Sequence, residues 1–252
     1  MTELNMTTNI PKRAFILAAG FGTRMRPYTD HAPKPMVKIA GRSLIWRSLD
    51  KLRAVGVCEV VVNLHYLADV LETHLKAYMV EHPEIVIHFS FEPEILETGG
   101  GVKNALHYFK DEPFYVIAGD ALWSDGAMSA LERLARHWDA ETMDIITLMQ
   151  PVDQMRLTSG VGDYDLLENG LVRRSMDKSG AYMWTNIRLN SPRLYHDIDG
   201  HDFSFLQIMD ACEAQGRFHA LEHDGDWHHI STPKDLETVD AHFKKQGENG
   251  AA

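Results

Sequence analysis

Hydrophobic and polar positions follow two alternating patterns through the first 150 residues of the chain. Short continuous apolar runs, such as residues 14–19, are typical of strands that are buried on both faces of a parallel sheet. Between these runs, apolar residues recur at helical spacing, as in residues 44–55, and Gly56 ends that helix. Strands and helices that alternate in this way predict βαβ units on a mostly parallel sheet.

The pattern changes after Pro151, where shorter β segments are separated by turns. In the first half, strands are predicted at 14–19, 59–64, 85–91, 113–118 and 144–149, and helices at 44–55, 68–80, 99–108 and 127–137. In the second half, β segments are predicted at 160–167, 171–175, 183–190, 217–221 and 227–230, with a helix at 203–215 that Asp202 or Ser204 caps. Thr232 and Pro233 supply the N-cap and the first residue of a last helix.

The absence of repeats and of Pro- or Ser-rich linkers favours a single domain over residues 13–240. Its two halves would be residues 13–150 and 151–240, between tails at 1–12 and 241–252. No run of about 18 apolar residues exists, so we expect no membrane span. The polar first twelve residues also lack the apolar core of a signal peptide.

Charge and cysteine content narrow the class of ligand and the compartment. The 252 residues carry 25 Lys and Arg against 36 Asp and Glu, a formal net charge of −11. This balance argues against nucleic acid held on a basic surface, but it permits a small anion bound by two or three placed cations. Cys58 and Cys212 cannot form a disulfide framework and lack zinc-type spacing, which predicts a cytoplasmic protein. The sequence leaves the oligomeric state open.

The segment L-A-A-G-F-G-T-R-M-R-P-Y-T at 17–29, followed by P-K-P at 33–35, contains the clearest candidate chemistry. A buried strand leads into glycines, whose backbone N–H groups can approach an anion closely. Arg24 offers a planar fork for phosphate oxygens, and Lys34 adds a compact cation between two prolines. This combination predicts a triphosphate at the carboxyl end of a parallel strand.

Two other glycine motifs do not fit this segment. A Walker loop requires G-x-x-x-x-G-K-[ST], which is absent from the sequence. A dinucleotide-binding fingerprint requires a third glycine at position 25, which is Met25.

The same residues resemble the signature of the sugar-1-phosphate nucleotidyltransferases, L-A-A-G-x-G-T-R-[ML]-x-P-x-T followed by x-K-P, without a gap. This resemblance covers about residues 13–240 and implies an α/β, Rossmann-like three-layer sandwich with a mostly parallel central sheet. It also implies that a sugar 1-phosphate and an NTP are joined, giving an NDP-sugar and pyrophosphate. Residues 62–67 and 96–101 are most similar to the short N-acetylmuramate-1-phosphate uridylyltransferases of bacterial cell-wall recycling.

UTP and N-acetylmuramate 1-phosphate are therefore the expected substrates. Other pairs stay open, such as GTP with mannose or heptose 1-phosphate, or CTP with phosphocholine. A non-catalytic nucleotide-sugar sensor is the alternative from a different functional class.

The resemblance implies a role for each matching residue. The catalytic residues would be Arg24, Lys34 and Asp120, with Asp120 as the ligand of a Mg²⁺ cofactor. The nucleotide-binding residues would be Ala18, Ala19, Gly20, Gly22, Thr23, Glu92, Thr98, Gly99 and Gly100, and Asn63 is a further candidate. The sugar-binding residues would be Gly162, Asp163 and Thr185.

Two positions depart from the family pattern. Glu92 stands where relatives place a base-reading Gln, and its carboxylate could accept from N–H groups of uracil or of guanine. His229 stands where relatives carry a second metal carboxylate, although imidazole is a poor ligand for Mg²⁺. Either Mg²⁺ is held by Asp120, phosphates and water, or Asp226 or another acid substitutes, or His229 binds a softer metal.

Overall fold

The computed structural model describes residues 10–249. Its strands are β1 (Arg13–Leu17), β2 (Lys38–Ile39), β3 (Arg42–Ser43), β4 (Glu59–Leu64), β5 (Val86–Phe91), β6 (Phe114–Ala118), β7 (Leu122–Trp123), β8 (Ile145–Pro151), β9 (Tyr164–Leu166), β10 (Val172–Arg174), β11 (Tyr182–Asn190), β12 (Phe218–Glu222) and β13 (Trp227–His228). Its α-helices are α1 (Leu44–Ala54), α2 (Ala68–Glu81), α3 (Glu97–Asn104), α4 (Ala130–His137), α5 (Leu206–Ala214) and α6 (Pro233–Asn249). In this part of the chain, no helix combines the length and apolar content of a membrane span.

One mixed sheet runs through both halves of the chain. Strands β5, β4, β1 and β6 pair in parallel in that order, which confirms the predicted parallel core. β11 then pairs with β6 antiparallel, and β8 pairs with β11 antiparallel and with β12 in parallel. β9 and β10 extend the sheet beyond the amino end of β11. The strands of residues 151–240 therefore continue the first sheet instead of forming a second one.

Helices cover both faces of this sheet, as expected for a three-layer α/β sandwich. Alternate residues of β1 explain the arrangement: Ala14 and Ile16 pack with α1, α2 and α4, and Phe15 packs with α3 and α5 on the opposite face. All three side chains are fully buried. The continuous apolar run of β1 thus follows from burial on two faces. A smaller core joins α6 to β2 and to the first residue of α1.

Most predicted elements are present, and the differences lie at their ends. β1 stops at Leu17, two residues earlier than expected, and α3 begins at Glu97 instead of at its glycines. α5 begins at Leu206 with Phe205 at the N-cap position, one residue later than predicted, but the Ser204 hydroxyl still accepts from the Leu206 N–H at 3.3 Å. α6 continues to Asn249, through most of the predicted tail at 241–252. Residues 1–9 of the other predicted tail lie outside the described residues.

The beginning of α6 was predicted correctly. The Asp235 N–H donates to the Thr232 hydroxyl at 3.2 Å, and the Asp235 carboxylate accepts from the Thr232 N–H at 2.8 Å. This reciprocal pair satisfies N–H groups that the first turn of a helix leaves without partners. It also fixes Ser231 beside the carboxylate, at the wall of the cavity described below.

Candidate active site

A cavity of about 470 Å³ lies at the carboxyl ends of β1 and β6. Its floor is the segment that follows β1, and its other walls come from the start of α3 and the end of β6. The lining residues are Leu17, Ala18, Ala19, Gly20, Phe21, Gly22, Thr23, Arg24, Met25, Lys34, Pro35, Asn63, Ile95, Glu97, Thr98, Ala118, Asp120, Asn186 and Ser231. Ligands of open α/β sheets bind at this edge, so the position agrees with the sequence prediction.

The glycine loop is shaped by a left-handed residue and a buried anchor. Gly22 has a φ of 62°, and a Cβ there would lie 3.1 Å from the Cβ of Lys34. The buried Thr29 hydroxyl donates to the Gly22 carbonyl at 2.8 Å, and the fully buried Met25 side chain packs into the core beneath α6. A Cβ at Gly20, by contrast, would meet nothing within 4 Å. Packing therefore requires a glycine at position 22, whereas position 20 is open to a ligand.

Two cations lie beside this loop. Arg24 is exposed and lines the cavity, and no ion pair among residues 10–249 includes it. Lys34 is largely buried, with a side chain 13% exposed, and its Nζ forms an ion pair with the Asp120 carboxylate. The cavity therefore contains one cation available to an anionic ligand and one that already shares a carboxylate.

Asp120 lies two residues beyond the end of β6. Gly119 makes this position possible, because its N–H donates to the Leu17 carbonyl at 2.8 Å and a Cβ there would lie equally close to that oxygen. The Asp120 side chain remains 36% exposed, so its second oxygen is accessible from the cavity. Among the described residues, no cluster of three or more His, Cys, Asp or Glu side chains is arranged to hold a metal ion.

A second cavity, of about 180 Å³, adjoins the first. The two cavities share Ala118, Asp120 and Asn186. The remaining lining residues of the second cavity are Ala121, Met183, Trp184, Thr185, Trp227, His228, His229 and Ile230. The predicted sugar-side residue Thr185 thus lies in a compartment next to the predicted triphosphate compartment.

Gly162 and Asp163 line neither cavity. A Cβ at Gly162 would overlap the carbonyl of Gly180, so close chain packing requires a glycine here. Asp163 forms an ion pair with Lys178 at 2.5 Å and accepts from the Trp184 N–H at 3.3 Å. Local contacts are enough to explain why both residues are present, so their role in sugar binding stays a prediction.

Glu92 is fully buried and does not line the cavity. Its carboxylate accepts from the Asn63 amide at 2.8 Å and from the Leu96 N–H at 3.0 Å. Asn63 in turn accepts from the Ala18 N–H at 2.6 Å, which fixes the first residue after β1. Burial raises the pKa of Glu92, although both hydrogen bonds oppose this shift. Glu92 thus supports the loop through Asn63, and its role in reading a base stays a prediction.

The glycines of α3 also have a packing explanation. The N–H groups of Gly99 and Gly100 both donate to the Phe203 carbonyl, at 2.9 and 3.1 Å. A Cβ at Gly100 would overlap the His201 carbonyl, and a Cβ at Gly99 would overlap the Phe203 ring. Only Thr98 of the three predicted nucleotide contacts in α3 lines the cavity, and its hydroxyl accepts from the Phe205 N–H at 2.9 Å.

His229 is half-buried in the wall of the second cavity, where its ring stacks on Trp227 at 5.7 Å between centroids. Burial lowers the pKa of His229, and Lys34 lowers it further, whereas Asp120 opposes the shift. The imidazole therefore lies within electrostatic range of the Lys34–Asp120 pair. Asp226 is exposed and lines neither cavity.

Sequence reasoning missed Asn186, which lines both cavities. It lies inside β11 with a φ of 59°, at a break in the pairing of β11 with β8 between Trp184 and Arg188. A left-handed, non-glycine residue within a strand is uncommon and often marks a functional site. The only signal in the sequence is a polar residue in a strand-like segment, which is too common to be informative.

The comparisons with known proteins agree with this geometry. A family model described as "Nucleotidyl transferase" matches residues 13–246. N-acetylmuramate alpha-1-phosphate uridylyltransferase of Caulobacter vibrioides is 36% identical over 227 residues, which make up 89% of this chain and 93% of that relative. Mannose-1-phosphate guanyltransferase of Emericella nidulans is 28% identical over 229 residues, 90% of this chain but only 62% of that longer protein.

A solved structure has the same architecture. The crystal structure of HddC from Yersinia pseudotuberculosis complexed with GMP-PN aligns with a TM-score of 0.72 and 25% sequence identity. The alignment covers 92% of this chain and all of that one.

Proposed function

Since the chain belongs to the nucleotidyl transferase family, we propose that it joins a sugar 1-phosphate to a nucleoside triphosphate and releases pyrophosphate. The observation that carries this proposal is the pair of adjoining cavities that meet at Asp120. The larger one has a glycine loop and two cations suited to a triphosphate. The smaller one offers a neighbouring compartment for the sugar phosphate.

The favoured substrates are UTP and N-acetylmuramate 1-phosphate. Support comes from the Caulobacter vibrioides uridylyltransferase, which is similar over nearly its whole length. A second pair, GTP with mannose or heptose 1-phosphate, has support from the guanyltransferase relative and from the HddC complex. CTP with phosphocholine is the third candidate pair. A cytoplasmic location belongs to the same proposal.

The reaction is one in-line displacement and requires no covalent enzyme intermediate. An oxygen of the sugar phosphate attacks the α-phosphorus of the triphosphate, and a new P–O bond forms. The bond from the α-phosphorus to the bridging oxygen breaks, and its electron pair leaves with pyrophosphate. A sugar phosphate is largely dianionic near neutral pH, so no general base is needed. The enzyme's contribution is to position the two phosphates and to stabilise the developing charge.

Arg24 and Lys34 have different parts in this scheme. Arg24 is exposed in the cavity wall and would bind the phosphate oxygens that become pyrophosphate. Lys34 is paired with Asp120 before substrate binds. A triphosphate would compete for the Lys34 ammonium, which would release the Asp120 carboxylate for another cation. The pair therefore keeps the carboxylate neutralised until the nucleotide is bound.

Asp120 fits a Mg²⁺ ion as a single protein carboxylate. Its side chain is 36% exposed in the cavity wall, and Mg²⁺ commonly takes one or two carboxylates together with substrate phosphates and water. When bound, the ion would supply positive charge to the phosphate oxygens. His229 lies in the adjoining wall and would face the phosphates instead of acting as a metal ligand.

A panel of substrates tests the proposed function. Each of the four NTPs is incubated with N-acetylmuramate, mannose, heptose and glucose 1-phosphates and with phosphocholine, and pyrophosphate release is measured with Mg²⁺. We expect release above background with UTP and N-acetylmuramate 1-phosphate. Release with another pair alone would replace the substrate assignment. No release with any pair, combined with tight binding of an NDP-sugar, would instead support a non-catalytic sensor.

A further inference from the structure

Arg188 is a fully buried arginine in the middle of β11, with no carboxylate partner in the described chain. Its guanidinium carbon lies 3.9 Å from the ring centroid of Phe205 and 5.4 Å from that of Trp184. By hydrogen-bond geometry, its Nε and Nη2 atoms have no partner among residues 10–249. Burial lowers the pKa of Arg188 to about 10, so the guanidinium stays charged at neutral pH. Burying a charge without a carboxylate partner is costly, although the two aromatic rings and the nearby Tyr195 hydroxyl offset part of this cost.

The side-chain hydrogen bond that Arg188 does make leads to the active site. Its Nη1 donates to the Oδ1 of Asn186, the residue that lines both cavities. The backbone around Asn186 is held by Thr185, whose hydroxyl donates to the Leu148 carbonyl at 2.8 Å and accepts from the Ile187 N–H at 3.2 Å. Asn186 is therefore fixed at its backbone by Thr185 and at its side-chain oxygen by Arg188.

The chemistry of this contact determines which end of the Asn186 amide is available to a ligand. A guanidinium has only donors, so it must bind the amide oxygen and never the amide nitrogen. With Oδ1 engaged by Arg188, the Nδ2 hydrogens are the polar groups that Asn186 has left for the cavities. The nearby positive charge also polarises the amide and makes these hydrogens stronger donors.

We infer that Arg188 is a positioning residue, which orients Asn186 so that its amide donates to a phosphoryl oxygen where the two cavities meet. This inference rests on the proposed function, in which the transferred α-phosphate and the sugar phosphate come together at that junction. Asn186 contacts the substrate phosphate, and Arg188 acts only through Asn186. The buried charge is retained because it holds this donor in place.

Four variants test the inference: Arg188→Met, Arg188→Lys, Asn186→Gly and the double variant Arg188→Met with Asn186→Gly. Glycine is compatible with the left-handed backbone, so Asn186→Gly should fold. Loss of one charge-assisted hydrogen bond predicts that Arg188→Met and Asn186→Gly each lower kcat/KM for the sugar phosphate at least about tenfold. KM for the NTP should stay within about twofold, because many other groups bind the triphosphate. Arg188→Lys, which keeps a donor for Oδ1, should recover part of the loss.

The double variant separates positioning from a general structural role. If Arg188 acts through Asn186, Arg188→Met should have no further effect on kcat/KM in the Asn186→Gly background. The melting temperature of Arg188→Met should equal or exceed that of the wild type, since a buried charge without a carboxylate partner has been removed. An equal loss from Arg188→Met in both backgrounds, or a lower melting temperature that accounts for the lost activity, would overturn the inference.

A binding measurement keeps this inference distinguishable from the proposed function. Wild-type protein that is inactive with every substrate pair counts against the proposed function alone. The inference is then decided by calorimetric titration with UDP-N-acetylmuramate, which would span both cavities. Arg188→Met should weaken its binding about tenfold in the wild-type background and leave it unchanged in the Asn186→Gly background. Unchanged binding in both backgrounds would contradict the inference.

Discussion

Lys34 and Asp120 form an ion pair across the cavity floor, although 86 residues separate them in the sequence. Lys34 belongs to the proline-flanked loop after β1, and Asp120 follows the neighbouring parallel strand β6. Because the carboxyl ends of adjacent parallel strands lie side by side, the two residues meet where a triphosphate would bind. This ion pair is one reason why we expect substitutions at Lys34 and at Asp120 to lower activity.

Arg24→Ala and Lys34→Ala should each lower turnover about 10²–10³-fold, because each removes a preorganised charge partner of the transition state. Neither change opens a cavity in the apolar core, so circular dichroism should show an intact fold. Arg26→Ala is the matched control, since Arg26 lies in the same loop, is 60% exposed and pairs with Asp30. Wild-type turnover in the Arg24 or Lys34 variant would contradict the assignment of that residue.

Asp120→Asn should abolish the Mg²⁺-dependent activity, because the amide has the size of the carboxylate but not its charge. Saturating Mg²⁺ should not restore turnover. Pyrophosphate release is measured against Mg²⁺ concentration, with Asp125→Asn as a control, because Asp125 lines neither cavity and pairs with Lys51. A normal Mg²⁺ response in Asp120→Asn would place the metal elsewhere.

His229→Asp should lower the Mg²⁺ concentration required for half-maximal activity, because it adds a carboxylate to the cavity wall that contains Asp120. If His229 instead binds a softer metal directly, the same change should shift the preference away from Mn²⁺, Co²⁺ or Zn²⁺. Activity titrations with each metal distinguish these results. An unaltered metal response in both His229→Asp and His229→Ala would rule out both roles.

Gly20→Ala and Gly100→Ala should affect different properties. A Cβ at Gly100 would overlap the His201 carbonyl, so this variant should lose about 1–3 kcal/mol of unfolding free energy. Gly20 has open space around it and lines the cavity, so Gly20→Ala should keep its stability and raise KM for the NTP. Urea unfolding and steady-state kinetics measure the two effects. A destabilised Gly20→Ala with an unchanged KM would contradict the ligand-side role of Gly20.

His223 makes the fold sensitive to mild acid. It is fully buried, and burial lowers its pKa below the ordinary 6.5. Below about pH 6.5 the unfolded chain binds a proton that the folded chain does not, so the free energy of unfolding falls as pH falls. His223→Met should reduce this loss by up to about 1.4 kcal/mol per pH unit in that window. Urea unfolding between pH 5 and pH 7.5 tests this, with the exposed His107→Met as the control.

The parallel core and the phosphate loop could be predicted because their signals are local. β4 has the predicted bounds, and α1 ends one residue before its predicted end. Lys34 and Asp120 were each recognisable from neighbouring residues in the sequence. The roles of Gly100 and Glu92, however, depend on contacts with residues that are distant in sequence. Gly100 packs against the segment at 201–203, and the buried carboxylate of Glu92 accepts from Asn63, which lies 29 positions earlier in the chain.

The two compartments draw on different halves of the chain. Apart from Asn186 and Ser231, the walls of the larger cavity come from residues before position 121. The smaller cavity, apart from Ala118, Asp120 and Ala121, is built from residues after position 182. If the larger cavity binds the triphosphate and the smaller one the sugar phosphate, as proposed, then donor and acceptor recognition depend on nearly separate segments of the chain. Recombination between relatives that exchanges the segments after position 182 could then change the acceptor and leave triphosphate binding unaltered.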